Sequence, residues 1–209
     1  MRTLVIDCAT QALSIALFDG DVLAAHSHQI LGRGHAEALV PRIEEMLAGG
    51  RADAIAVDVG PGSFTGIRVG IAAARALGFA WGVPVTGYAC LPLCAAMARR
   101  DAGPSDEPIA IVMIGGHGEL FWQRFDGRTL DPLAPLESTP VADLPGTLQD
   151  ARVYGSAARA LVEARGWGEA FDTFPDAAAY PLLPDAHRGL APTAIYGRDA
   201  DAKPMAAAQ

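Results

Sequence analysis

The segment of this chain with the most distinctive chemistry is the glycine-rich run GPGSFTGIRVG at residues 60–70. Its glycines permit a tight backbone path out of a strand, and a hydroxyl side chain in it can cap a following helix. Backbone N–H groups at such a helix start can bind an anion. No lysine follows the last glycine, so the run is not a P-loop, and the alternative is that the glycines only let a helix and a sheet approach closely. The motif loop consists of Gly60, Pro61, Gly62, Ser63, Phe64, Thr65 and Gly66.

The histidines and serines give weaker indications of chemistry. His26 and His28 alternate on a strand-like run and share one face, a pattern that metal ligands have in common with many surface strands. His35-Ala-Glu37 lacks the His-Glu-x-x-His arrangement of a zinc protease. The Gly-x-Ser-x-Gly elbow of serine hydrolases does not occur in the chain. We therefore expect no metal site, no cofactor and no catalytic residues.

The composition predicts a well-packed globular protein. Of the 209 residues, 51% are hydrophobic and 19% are charged, which leaves little room for extensive disorder. A net charge of −8 argues against a domain that holds phosphate backbones by itself. Cys8, Cys90 and Cys94 have apolar neighbours, which favours buried, reduced thiols. Neither a signal peptide nor an apolar stretch of about 20 residues is visible, so we expect a cytoplasmic location and no membrane contact.

The elements that would position the glycine-rich run follow an α/β pattern. Apolar runs predict strands at residues 3–7, 14–18, 22–26, 54–59 and 83–86, with a hairpin turn at Asp19-Gly20. Leu39, Ile43 and Leu47 are four residues apart and predict a helix over residues 35–48. Further helices are predicted over residues 67–81 and 91–100.

The helix after the glycine-rich run carries small residues four apart, Gly70, Ala74 and Gly78. One strip of this helix is therefore nearly smooth backbone and permits close packing. The strip can face either the protein's own sheet or a helix of a partner, and the sequence slightly favours the internal contact.

The second half of the chain repeats the pattern of the first. The polar, turn-rich residues 101–108 mark a boundary, which predicts lobes at residues 1–104 and 105–209. Strands are predicted at residues 109–114, 119–125 and 152–154, and a helix at 157–165. Residues 4–20 align with residues 111–127 without gaps, and both segments end in Phe-Asp-Gly. We predict a duplicated actin-like (ASKHA, ribonuclease H-like) α/β fold of two lobes, each with a mixed sheet flanked by helices.

Asp7 ends the first predicted strand, where actin-like ATPases carry a carboxylate for the metal and phosphates of a nucleotide. The adjacent turn, which ends at Thr10, lacks a glycine, and Ile114 stands opposite Asp7 in the second half. Asp7 and Thr10 therefore predict only a vestigial nucleotide site, and ATP hydrolysis by this chain is not expected.

Several of these motifs together resemble the TsaB (YeaZ) family. They are VIDCAT at residues 5–10, His35-Ala-Glu37 before Leu-Val-Pro, GPGSFTGIRVG, and a C-terminal stretch from Pro192 to Pro204. The resemblance covers the first hundred residues closely and the second lobe loosely. It implies a non-catalytic subunit that pairs with the related transferase TsaD as a heterodimer, and with the small ATPase TsaE in a larger complex. These together place threonylcarbamoyl on N6 of adenosine 37 in tRNAs that read codons beginning with A. The subunit would meet tRNA only through that complex.

The resemblance also implies that helices of the first lobe form the interface with TsaD or with a second copy in a homodimer. The candidate interface residues are Leu39, Ile43, Leu47, Arg68, Gly70, Ile71, Ala74 and Gly78. The start of the second lobe departs from the family, since residues 114–119 read IGGHGE where many members have a DARRGE-like segment. Two alternatives are a small actin-like ATPase or kinase, motivated by Asp7, and a peptidase, for which no zinc or nucleophile constellation is found.

Overall fold

The computed structural model describes residues 1–116 and 118–197. The first sheet has five strands in the spatial order β3-β2-β1-β4-β5. They are β1 (Arg2–Asp7), β2 (Ala12–Asp19), β3 (Val22–Ile30), β4 (Ala54–Asp58) and β5 (Val85–Tyr88). β1, β2 and β3 pair antiparallel, whereas β4 and β5 continue the sheet in parallel from β1. Gly20 has a φ of 61° in the β2–β3 turn, the left-handed conformation that the Asp-Gly pair predicts.

Three helices accompany this sheet, α1 (His35–Leu47), α2 (Phe64–Trp81) and α3 (Cys90–Ala102). Leu39, Ile43 and Leu47 of α1 pack with α2 against one face of the sheet. The opposite face is covered by α3 through Leu93. α2 begins three residues earlier than predicted because the side chain of Ser63 accepts a hydrogen bond from the N–H of Gly66.

The second sheet repeats the topology of the first, with strand order β10-β9-β6-β7-β8. Its strands are β6 (Ile109–Gly116), β7 (Glu119–Phe125), β8 (Glu137–Pro140), β9 (Arg152–Tyr154) and β10 (Glu169–Phe171). The helices α4 (Leu144–Thr147) and α5 (Ala158–Arg165) pack on its outer face. In both sheets the first strand is central, with an antiparallel hairpin on one side and two parallel strands on the other. The predicted duplicated actin-like fold is therefore confirmed, although β8, β10 and α4 were not predicted.

α3 lies between the two sheets. Leu93 faces the first sheet, while Cys90, Leu91 and Cys94 pack against β6 and β7 of the second. All three cysteines of the chain are free and buried, as predicted. None of the helices in the described part of the chain combines the length and the apolar character that a membrane span needs.

The chain returns to the first lobe after β10. Two 3-10 turns, Ala177–Leu182 and Asp185–His187, occupy the start of the tail that was predicted to be extended from residue 180. Ala177 and Leu183 enter the core beside Val5, and Leu190 pairs with Gly87 at the edge of β5. The predicted division at residue 104 stays a prediction, and residues after 176 contribute to the core of the first lobe. The tail motif continues past residue 197, outside the described residues.

Candidate functional site

Two aspartates meet at the carboxyl ends of the central parallel strands. Ile6 of β1 pairs with Val57 of β4, so Asp7 and Asp58 follow as neighbours. Asp7 is 0% and Asp58 1% exposed. The Tyr88 hydroxyl donates to Asp7 Oδ2 at 3.1 Å, and the Gly60 N–H donates to Asp58 Oδ1 at 2.8 Å. The second oxygen of Asp58, Oδ2, is buried without a hydrogen-bond partner among the described residues.

Burial determines the charge of this pair. It raises the pKa of Asp58 to about 7, and it raises the pKa of Asp7 well above its usual range, with the neighbouring Asp58 charge adding to the effect. Two carboxylates this close cannot both ionise at low cost away from water. We therefore expect at least one of the two carboxyl groups to be protonated at neutral pH.

The vestigial nucleotide site predicted at Asp7 and Thr10 is not an open site in this structure. Asp7 has no exposed surface from which to reach a metal or phosphate. Thr10 is half-buried, and its Oγ1 accepts the N–H of Ala12 at 3.1 Å. The two side chains thus stabilise the β1–β2 turn by accepting hydrogen bonds from its backbone.

The glycine-rich motif loop lies directly on the β1–β2 turn. The N–H of Ser63 donates to the carbonyl of Ala9 at 2.7 Å. A Cβ at Gly62 would overlap the backbone carbonyl of Ala9, and one at Gly66 would overlap that of Cys8. The glycines therefore let two backbone segments pack closely. The sequence analysis gave this role as the alternative to anion binding.

The start of α2 is held by the C-terminal segment. The Arg68 guanidinium lies 3.5 Å above the ring of Phe64, and its Nε donates to the Tyr196 hydroxyl at 3.0 Å. Arg75 donates to the carbonyl of Pro192 at 2.7 Å. The start of α2 and the C-terminal stretch are thus packed against each other, although they lie more than 120 residues apart in the chain.

Most of the candidate interface residues are inside the lobe. Leu39, Ile43, Leu47, Gly70, Ile71, Ala74 and Gly78 are all buried. A Cβ at Gly78 would meet Val85, so the small strip faces the protein's own sheet. Arg68 is exposed but engaged with Phe64 and Tyr196. The seven buried residues are enclosed in the isolated chain, so their assignment to a partner interface stays a prediction.

The outer faces of α1 and α2 carry apolar side chains that the sequence analysis did not assign to an interface. Phe79 of α2 is 92% exposed, Phe64 57%, and Val40 of α1 51%. At 100° per residue, Phe64, Arg68, Arg75 and Phe79 fall within a sector of about 60° on α2, whose centre lies about 110° from that of the small strip. The signal available in the sequence was the small strip itself, because a strip that packs on the sheet leaves the large residues of the neighbouring sector at the surface.

The second lobe offers a separate concavity of about 600 Å³ beside the end of α3. Its wall includes Tyr154 and Phe171, whose rings stack at 4.7 Å. Two charged side chains that line it already form ion pairs, Arg152 with Glu169 and Asp172 with Arg159. Ile114, the residue opposite Asp7, lies at the end of β6 with 46% exposure and brings no carboxylate. His117 lies outside the described residues.

The repeated sheet topology of the two lobes defines a protein of the actin-like class. A family model described as "TsaD: tRNA N6-adenosine threonylcarbamoyltransferase" matches residues 27–172. The chain belongs to this family, and the relatives below place it among the TsaB (YeaZ) members.

Three relatives illustrate the likeness. The tRNA threonylcarbamoyladenosine biosynthesis protein TsaB of Escherichia coli K12 is 33% identical over 130 residues, which cover 60% of this chain and 55% of that protein. The tRNA N6-adenosine threonylcarbamoyltransferase of Corynebacterium diphtheriae is 33% identical over 64% of this chain and 36% of that protein. The chain thus spans about half or less of these curated relatives. The solved structure of YeaZ from Pseudomonas aeruginosa superposes with a TM-score of 0.72 at 27% identity, covering 87% of this chain and 89% of that one.

Proposed function

We propose that this protein is a non-catalytic subunit that binds and activates a TsaD-type transferase. In this role it supports the addition of threonylcarbamoyl to N6 of adenosine 37 in tRNAs that read codons beginning with A. The observation that carries the non-catalytic part is the burial of Asp7, the residue that an actin-like ATPase would use to hold metal and phosphate. The biosynthetic role rests on the likeness to the E. coli protein.

The remaining reactive groups support the same proposal. Burial raises the pKa values of the Cys8, Cys90 and Cys94 thiols well above their usual range, which disfavours the nucleophilic thiolate. The Sγ of Cys90 lies 3.0 Å from the carbonyl of Pro61, inside the core. These cysteines therefore serve packing.

The proposed partner surface is the outer face of α1 and α2, which we call the α1/α2 face and define by Val40, Phe64 and Phe79. Single exposed apolar side chains are common on protein surfaces. Phe79 is 92% exposed, however, and aromatic rings of this kind are typical anchors that a partner buries on binding. A TsaD-type subunit is the proposed occupant, and a second copy of this chain competes for the same face. A TsaE-type ATPase joins the larger complex, and tRNA contacts the protein only within it, in keeping with the net charge of −8.

The experiment is reconstitution of tRNA threonylcarbamoylation from purified TsaD-type and TsaE-type proteins, with this protein added or omitted. The expected result is that modification requires this protein, while the protein alone turns over no ATP. Equal modification without it would contradict the proposal. The alternative, a small actin-like ATPase or kinase, predicts ATP turnover by the protein alone that Asp7→Ala abolishes.

A further inference from the structure

We propose that His26, His28 and Asp176 form a binding site for a divalent transition metal ion of the Zn²⁺ type. The site lies on the first lobe, away from the motif loop and the α1/α2 face, and it is independent of the proposed function. Imidazole nitrogens together with a carboxylate oxygen are the donors that Zn²⁺ favours in proteins.

The three donors converge in space. His26 and His28 are two residues apart on β3, so both side chains lie on one face of this edge strand. Their ring centroids are 6.3 Å apart, and His26 Nε2 lies 2.7 Å from Asp176 Oδ1. One donor atom from each residue lies within 4.8 Å of the others. Ligand atoms in a tetrahedral zinc site are about 3.3 Å apart at bond lengths near 2.0 Å, so binding requires the donor atoms to approach one another by up to about 1.5 Å.

Asp176 is held in place before any metal binds. Its Oδ1 accepts the Ser14 hydroxyl at 3.1 Å and the Ala178 N–H at 2.9 Å. Ser14 is in turn fixed, since its Oγ accepts the Ala177 N–H at 2.9 Å. Partners of this kind around a ligand restrict its orientation and strengthen metal binding. The two histidines are exposed, which leaves room for water or another ligand in the fourth position.

The site would join two distant parts of the chain. His26 and His28 belong to the edge of the first sheet, whereas Asp176 follows β10 of the second sheet, 150 residues beyond His26. A bound ion would therefore fasten the segment that returns from the second lobe to the first. The sequence indicated no metal site because the third donor is distant in the chain and only the fold brings it to the histidine pair.

The test is titration of the metal-free full-length protein with ZnCl₂ by isothermal calorimetry, with thermal unfolding recorded with and without zinc. His28→Gln is the informative variant because it removes a donor and leaves the His26–Asp176 pair intact. His187→Gln is the matched control, since His187 contacts Phe125 and the Leu130 carbonyl, apart from the site.

The expected result is one ion per chain, an increase in the melting temperature that EDTA reverses, and at least tenfold weaker binding in His28→Gln and Asp176→Asn. His187→Gln should bind as the wild type does. Melting curves recorded without zinc check that each variant is folded. Absence of stoichiometric binding in the wild type would overturn the proposal, as would equal affinity in wild type and folded His28→Gln.

Discussion

Asp7 and Asp58 lie side by side at the carboxyl ends of β1 and β4, and neither has more than 1% of its surface exposed. In open α/β sheets this edge is where ligands bind, in the crevice beyond the strand ends. Here the motif loop covers this edge, because the Ser63 N–H donates to the Ala9 carbonyl and the Gly60 N–H donates to Asp58 Oδ1. This edge of the sheet is therefore part of the core, and we expect at least one of the two carboxyl groups to carry a proton there.

The stability of the protein should fall as the pH rises through neutrality. The pKa of Asp58 is about 7 when folded and 3.8 in a solvated chain, so the folded state binds more protons between those values. The contribution of Asp58 to the free energy of unfolding is complete below about pH 4 and is lost as the pH rises through 7. Urea unfolding should give a free energy of unfolding that is about 2 kcal/mol larger at pH 5.5 than at pH 8, because about 1.5 pH units lie between pH 5.5 and the pKa of Asp58, at about 1.4 kcal/mol per unit.

Asp58→Asn is the control for this pH dependence. The amide cannot ionise, and it can donate a hydrogen bond to Asp7, so the difference between pH 5.5 and pH 8 should shrink markedly. Asp176 does not contribute in this window, because its pKa is lowered and its effect falls in the acid range. An unchanged pH dependence in Asp58→Asn would assign the effect to other groups.

Gly62→Ala should destabilise the protein by about 1–3 kcal/mol, the usual cost of forcing an extra carbon into a packed site. The new Cβ would overlap the backbone carbonyl of Ala9, which cannot rotate away as a side chain would. Gly146→Ala is the matched control, since nothing lies within 4 Å of its Cβ position. Denaturant unfolding of both variants measures the difference, and equal stabilities would refute the close-approach interpretation.

The sequence predicted most strands because their apolar runs are bounded by turn residues, and β7 matches its predicted limits. It missed β8, whose four residues ESTP end in a proline and show no apolar alternation. The sequence analysis overlooked Asp58, although Asp58 ends β4 just as Asp7 ends β1. The reason is that only the fold shows that these two strands are neighbours. The direction of the Gly70–Gly78 strip stayed open because α2 is apolar on nearly every side, so periodicity does not mark its buried face.

Phe79→Ser should weaken binding to a TsaD-type subunit at least tenfold if the α1/α2 face is the interface, because a buried aromatic anchor commonly contributes more than 1 kcal/mol. The fold should be unaffected, since the ring is 92% exposed in the isolated chain. Leu133→Ser serves as the control, being 49% exposed in the second lobe. Calorimetric titration of the TsaD-type subunit measures both variants, and equal affinities would exclude Phe79 from the interface.

Tyr196 and Arg68 should be energetically coupled. Tyr196→Ala removes both the aromatic contact with Phe64 at 5.5 Å and the hydroxyl that accepts from Arg68, whereas Tyr196→Phe removes only the hydroxyl. We expect a loss of about 1 kcal/mol for the alanine variant and less for the phenylalanine variant. A double-mutant cycle with Arg68→Met, measured by denaturant unfolding, should give a coupling free energy of about 0.5–1 kcal/mol. A coupling of zero would mean that the Arg68–Tyr196 contact does not help to hold the C-terminal segment, which keeps its bonds to Val59, Gly87 and Arg75.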